Sequence, residues 1–245
     1  MGDDRLKTRR IGSYTTARVT RGRVERVERH ARRLLRDARR LELEPPVLRD
    51  IEELFVETAA TEFGSGDGVI RIEWSRTQGG GLELIATPRP VGEEPDVWRA
   101  KTSKAVHPGP EYRRNTKSVD VRAYDTARAE VAEAAIDEVF LFDKNGWLVE
   151  GGRSNFLIVT GNGEWIAPDP ALGAVEGIGL TLALESNSKI KYGRQTRDDL
   201  LSARELMSVN IVRGVAPIVE LDGHAVANGQ PGERSLSLAM LFRHE

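Results

Sequence analysis

The stretch Glu138–Thr160, EVFLFDKNGWLVEGGRSNFLIVT, leaves the chain little choice of local structure. Val139-Phe140-Leu141-Phe142 is too short and too rich in β-forming side chains for a helix, and Asp143-Lys144-Asn145-Gly146 supplies turn chemistry ending in glycine, so a hairpin is predicted. The second arm, Trp147-Leu148-Val149, loses its alternation at Glu150-Gly151-Gly152-Arg153-Ser154-Asn155, and a further apolar run, Phe156-Leu157-Ile158-Val159, follows. Glu150 is therefore expected to end a strand beside two glycines, where backbone can approach a ligand closely. A carboxylate at a strand end is ordinarily solvated. Its company suggests otherwise: Lys117 upstream at a predicted helix start, and Gly177-Ile178-Gly179 opening a helix downstream.

With 245 residues, 39% hydrophobic and 30% charged, the chain can bury a real core in one large or two small domains. Apolar runs stay well short of a membrane span and no signal-peptide core is seen, so a cytoplasmic protein is expected. Zero cysteines exclude disulfides and thiol chemistry, and four histidines without ligand spacing speak against a metal. Residues 1–40 hold fourteen Lys/Arg against five Asp/Glu. That bias could serve nucleic acid, but its helical period with an apolar face reads instead as a solvated flank, and no nucleic-acid partner is expected.

Taken in order, GSYTTARV from Gly12 is a strand with Tyr14, Thr16 and Arg18 on one face and Thr15, Ala17 and Val19 on the other. A helix is predicted over 23–41, with Val24, Val27, Ala31, Leu34, Ala38 and Leu41 inward, and a second over 47–60. Strands 69–74 and 82–86 follow. The run PRPVGEEPD then separates a small domain, 1–90, from a larger one, 97–245, through a linker at 91–96. A strand over 97–106 precedes a helix predicted over 118–135, whose first turn would carry Lys117, where the dipole disfavours a cation. Glycines at 177 and 179 leave amide N–H groups for phosphate, and Asn210-Ile211 near Gly214 could add donors. Asp222-Gly223 makes a plain hairpin turn.

These pieces resemble the class IV aminotransferases, the fold-type IV enzymes that use pyridoxal 5'-phosphate. The likeness is strongest from Asn115 to Gly232, through the lysine, LVEGGRSNF, AVEGIGLT and SVNIVRGVAPIVELDG. It implies an α/β (α+β) fold in two domains, a small N-terminal α/β sandwich with a shortened start and a larger C-terminal pseudo-barrel, assembled as a homodimer. It also implies site roles. Lys117 is the Schiff-base lysine and proton shuttle. Glu150 partners the pyridine nitrogen, followed by Ser154 and Asn155. Arg33 in HARRL, with Gly177, Ile178, Gly179, Asn210 and Ile211, holds the phosphate, and Tyr14, Thr16 and Arg18 face the substrate. The expected reaction is transfer of an amino group between an amino acid and a 2-oxo acid. The tyrosine common five residues after the lysine is replaced by Arg122, with Tyr124 two further on, which argues for a D-type rather than a branched-chain substrate. The alternative is an aminodeoxychorismate lyase releasing 4-aminobenzoate and pyruvate, supported by YTTARV and Asn210.

Overall fold

A computed structural model of the protein describes residues 10–242, and the chain divides into two compact units: residues to Val91 with Thr116–Val121, and Gly92–Asn115 with Arg122 onward. The first nine residues of the basic block and the shortened start lie outside the described residues, as does His244. The first unit's main run ends at Val91 and the second begins at Gly92. The lysine segment, expected in the larger domain, clusters instead with the first unit.

In the first unit, β1 (Gly12–Thr20) alternates as the sequence predicts: Thr15, Ala17 and Val19 are buried while Tyr14, Thr16 and Arg18 are half-buried on the other face. It pairs antiparallel with β2 (Arg23–Val24) and with β3 (Gly68–Arg76), which pairs with β4 (Leu82–Arg89), giving the order β2-β1-β3-β4. Helices α1 (Val27–Arg40) and α2 (Leu48–Phe63) cover the inner face, where Ala17, Val19, Ile70 and Ile72 pack against Ala31, Leu34, Ile51 and Phe55. Burying each large aliphatic side chain there contributes roughly 1.5–3 kcal/mol.

The first helix begins four residues later than predicted. Arg21 and Gly22 both take positive φ, the geometry of a two-residue hairpin turn, so Arg23–Val24 folds back on β1, and Arg26 at φ 51° stands outside the helix. A β-carbon at Gly22 would fall 2.0 Å from the Gly64 carbonyl oxygen, so both the turn and the close backbone approach require glycine.

The second unit, among the described residues, is built on a nine-stranded sheet in the order β10-β9-β8-β11-β12-β5-β6-β7, with β13 paired to β12. Its strands are β5 (Trp98–Val106), β6 (Glu138–Phe142), β7 (Leu148–Gly151), β8 (Asn155–Val159), β9 (Trp165–Pro168), β10 (Ile190–Gly193), β11 (Glu205–Asn210), β12 (Gly214–Leu221) and β13 (His224–Ala225). Around them run the one-turn α3 (Pro110–Arg113), α4 (Arg122–Ala134), α5 (Ile178–Ser186), α6 (Arg197–Leu201) and α7 (Glu233–Met240). The sheet curls on itself. Leu148 on β7, the last strand, donates to the Gln195 carbonyl just beyond β10, the first, at 2.8 Å, and Gly151 donates to the Ser154 carbonyl at 2.7 Å. Phe140 and Phe156 stack inside it, ring centroids 3.9 Å apart, over Trp98, Leu206 and Ile218.

The predicted 138–160 hairpin forms, with β6 and β7 antiparallel. The helix predicted over 118–135 starts only at Arg122. Asp120 sits at φ 60°, and Ser118 makes an antiparallel bridge to Ser13 of β1, so Lys117 lies in extended chain and the helix-dipole argument for it falls away. Among the described residues no helix is long and apolar enough to cross a membrane.

Candidate functional site

Lys117 is held at its backbone from both sides. Its N–H donates to Asp37 Oδ2 at 3.0 Å, and its carbonyl accepts the Tyr14 N–H at 2.9 Å. Asp37 is fully buried one helical turn beyond Arg33, and its Oδ1 takes the Arg36 guanidinium at 2.9 and 3.1 Å. The Lys117 ammonium nitrogen stands 5.0 Å from the centroid of the Tyr14 ring, whose face also carries the Arg71 guanidinium at 3.7 Å. Because Tyr14 pairs with Glu73 and Thr16 with Arg71, these four share the outer face of the small sheet. Arg71 donates to Glu73 at 2.8 Å. At the far end of the strand, Arg18 reaches Asp67 at 3.8 Å.

Arg33 lies on the inner side of this unit. Its Nη2 donates to the Thr15 hydroxyl at 2.6 Å, which is itself 2.7 Å from His30 Nδ1. Burial first, then the Arg33 charge, holds His30 well below its ordinary range, so the ring is neutral beside the Thr15 hydroxyl. Arg33 is itself buried, and desolvation lowers its pKa, with Asp37 opposing. Its Nε has no hydrogen-bond partner among the described residues. A buried guanidinium with an unsatisfied donor suits an anion.

In the second unit Glu150 is not a solvated strand end, as a carboxylate there would ordinarily be, but 3% exposed. Its Oε2 accepts the Val175 N–H at 3.0 Å, and its Oε1 meets the Tyr124 hydroxyl and, at 3.2 Å, His107 Nε2. The two glycines that follow it serve a different carboxylate. A β-carbon on Gly151 would stand 2.9 Å from the Glu138 carboxyl and one on Gly152 3.1 Å from Glu138 Oε1. Glu138, fully buried, accepts the N–H groups of Val139 and Gly152 at 3.0 Å each and the Ser154 hydroxyl at 2.5 Å. At both glycines the space a side chain would need is taken in part by the Glu138 carboxyl. Ser154, expected beside the cofactor, has its hydroxyl on Glu138.

Asn155, with the same expectation, donates to the Val175 carbonyl at 3.0 Å and lies against Gly177, whose added β-carbon would fall 2.0 Å from Asn155 Oδ1. Gly177 is the N-cap of α5, which has no side-chain cap, so the first-turn amides are not satisfied in that way. A β-carbon on Gly179 would come within 3.0 Å of the Asn210 carbonyl carbon, and the Asn210-Ile211 peptide therefore lies against the helix start. Asn210 Oδ1 accepts from Val212 and Arg213 at 3.1 and 2.8 Å, turning the chain there. Gly177→Ala should cost about 1–3 kcal/mol by driving Asn155 off Val175, since φ of −72° itself suits alanine; urea unfolding with unchanged midpoint would refute this.

The cofactor inferred from sequence is tested by three of these observations: the buried carboxylate of Glu150 fits a ring nitrogen, the uncapped start of α5 against Asn210-Ile211 fits a phosphate, and the unsatisfied Arg33 donor fits an anion. Sequence reasoning missed Asp37, His107, Tyr124 and Glu138. Only Asp37 left a signal, a charge one turn from Arg33 on the buried stripe of α1.

A two-unit α/β chain with a curled mixed sheet is the architecture of known aminotransferases. A branched-chain aminotransferase from Thermoproteus uzoniensis, solved with norvaline, superposes with a TM-score of 0.83 at 22% identity, covering 95% of this chain and 84% of that one. A hypothetical aminotransferase from Mycobacterium tuberculosis, solved in its PLP-bound form, gives 0.79 at 21%, covering 94% and 87%. The family model for amino-transferase class IV matches residues 12–221, and the chain belongs to that family. A branched-chain-amino-acid aminotransferase of Pseudomonas aeruginosa is 30% identical over 109 residues, 43% of this chain and 35% of that protein. The chain spans less than half the length of the curated relatives it matches.

Proposed function

We propose that the protein is a pyridoxal 5'-phosphate-dependent transaminase moving an amino group between an amino acid and a 2-oxo acid. The observation that carries the reading is Glu150, a buried carboxylate in the same unit as the glycine-opened, uncapped helix α5. When bound, the cofactor supplies an electron sink for the carbanion formed at the substrate's Cα. Lys117 would supply the amine that tethers it and the base that moves the proton at the substrate's Cα. Glu150 would pair with the ring nitrogen as a carboxylate and keep the proton on that nitrogen. Amides of Ile178 and Gly179, with Asn210 and Ile211, would hold the phosphate, a role the family resemblance also gives Arg33, and Tyr14, Thr16 and Arg18 would face the substrate. Asn155 donates to Val175 and lies against Gly177, and the Ser154 hydroxyl donates to Glu138.

The names of the relatives favour a branched-chain donor, against the D-type preference suggested by Arg122 in place of tyrosine. A homodimer is the expected assembly. Mixing the holoprotein with single amino donors, without acceptor, should convert the cofactor to its amine form and shift its visible absorbance; L-leucine, L-valine and D-alanine separate the substrate readings. Failure with every donor, together with pyruvate release from aminodeoxychorismate, would replace the transaminase by the lyase.

A further inference from the structure

Among the donors on the buried carboxylate of Glu150 are a phenol, an imidazole and a backbone amide. The state of the imidazole can be read from its other nitrogen. His107 Nδ1 accepts the Gly109 N–H at 3.1 Å, so Nδ1 carries no hydrogen, and in the neutral ring the hydrogen is on Nε2. Nε2 lies 3.1 Å from the Tyr124 oxygen and 3.2 Å from Glu150 Oε1, with the His107 and Tyr124 rings edge to face. His107 is 3% exposed. A carboxylate oxygen can only accept, and the Tyr124 and His107 donors on Oε1 lower the energy of the anion.

We propose that Tyr124 and His107 are positioning residues for Glu150, which by donating to Oε1 keep its carboxylate anionic and aimed, so that the proton it shares with the cofactor's ring nitrogen stays on the nitrogen. The proposal rests on the reading of Glu150 given above. Its physical basis is a competition for one proton between two bases. Stripping donors from the carboxylate raises its hold on the proton, and the ring, once deprotonated, withdraws electrons from Cα less well. Tyr124 stands at the position where the sequence departs from the familiar tyrosine spacing, seven residues after Lys117 instead of five. In this chain its hydroxyl goes to the acid.

The test reads the proton directly. Holoprotein is reconstituted with cofactor labelled with 15N in the ring, and the nitrogen chemical shift is recorded for the parent and for Tyr124→Phe, His107→Leu, His107→Gln and Glu150→Gln. The parent should show a protonated pyridine. Tyr124→Phe and His107→Leu should move the resonance downfield, toward the unprotonated value, and lower kcat roughly tenfold to a hundredfold with little change in KM, the size of a lost hydrogen bond to a charged group. His107→Gln, which returns an amide N–H near the Nε2 position, should restore the shift. Loss of stability or activity without movement of the nitrogen resonance in either donor deletion would mean a merely structural role and would overturn the proposal. If instead Glu150→Gln left the ring protonated, the role of Glu150 itself would fall, and the inference with it.

Discussion

Lys117→Ala is expected to lower the transamination rate by a thousandfold or more, the scale of a lost general acid/base, and to remove the absorbance of the tethered cofactor. The effect should be chemical rather than structural. The Lys117 N–H and carbonyl are held by Asp37 and the Tyr14 amide, contacts that alanine keeps, and the side chain lies over the Tyr14 ring without filling a core position. Circular dichroism and the unfolding midpoint should therefore stay close to the parent while turnover disappears. A variant retaining a tenth of the parental rate would remove Lys117 from the chemistry.

Glu138→Ala is expected to cost about 3–5 kcal/mol of stability, since it orphans two buried N–H groups and a hydroxyl and leaves a cavity between β6 and the Gly151–Ser154 turn. Glu138→Gln behaves differently. Burial, outweighing the hydrogen bonds from Ser154 and the two amides, raises the Glu138 carboxyl above its usual range. On unfolding the acid returns to its ordinary affinity for the proton. The stability contributed by the buried acid is therefore full below about 4.5, the unperturbed value, and drains as pH climbs through the folded one. Glutamine has no proton to lose, so the variant should gain on the parent with rising pH, by up to about 1.4 kcal/mol per unit. Parallel stability curves for the two proteins from pH 4 to 8 would sink this account.

Much of the fold could be read from periodicity. Alternation set the two faces of β1, the three-and-four spacing set the inner side of α1, and the Asn145-Gly146 turn set the β6–β7 hairpin, because each depends on neighbours close in sequence. The start of α1 was misread because the left-handed Arg26 has no composition signal. The extended conformation of Lys117 was misread because it depends on pairing with Gly12 to Tyr14, a hundred residues away.

The same division runs through the site. Residue type, order and the family resemblance singled out Lys117, Glu150, Arg33 and the glycines of α5 as candidates, because each has a chemistry that can be named from the side chain or its absence. Which carboxylate the Gly151-Gly152 pair accommodates, and which groups donate to Glu150, are long-range matters: Glu138 reaches Gly152 from the neighbouring strand, while His107 and Tyr124 come to Glu150 from 43 and 26 residues upstream. A linear sequence records the chemistry a side chain can perform. Its protonation and its partners are set by desolvation and by contacts between distant segments, and only the folded chain fixes those.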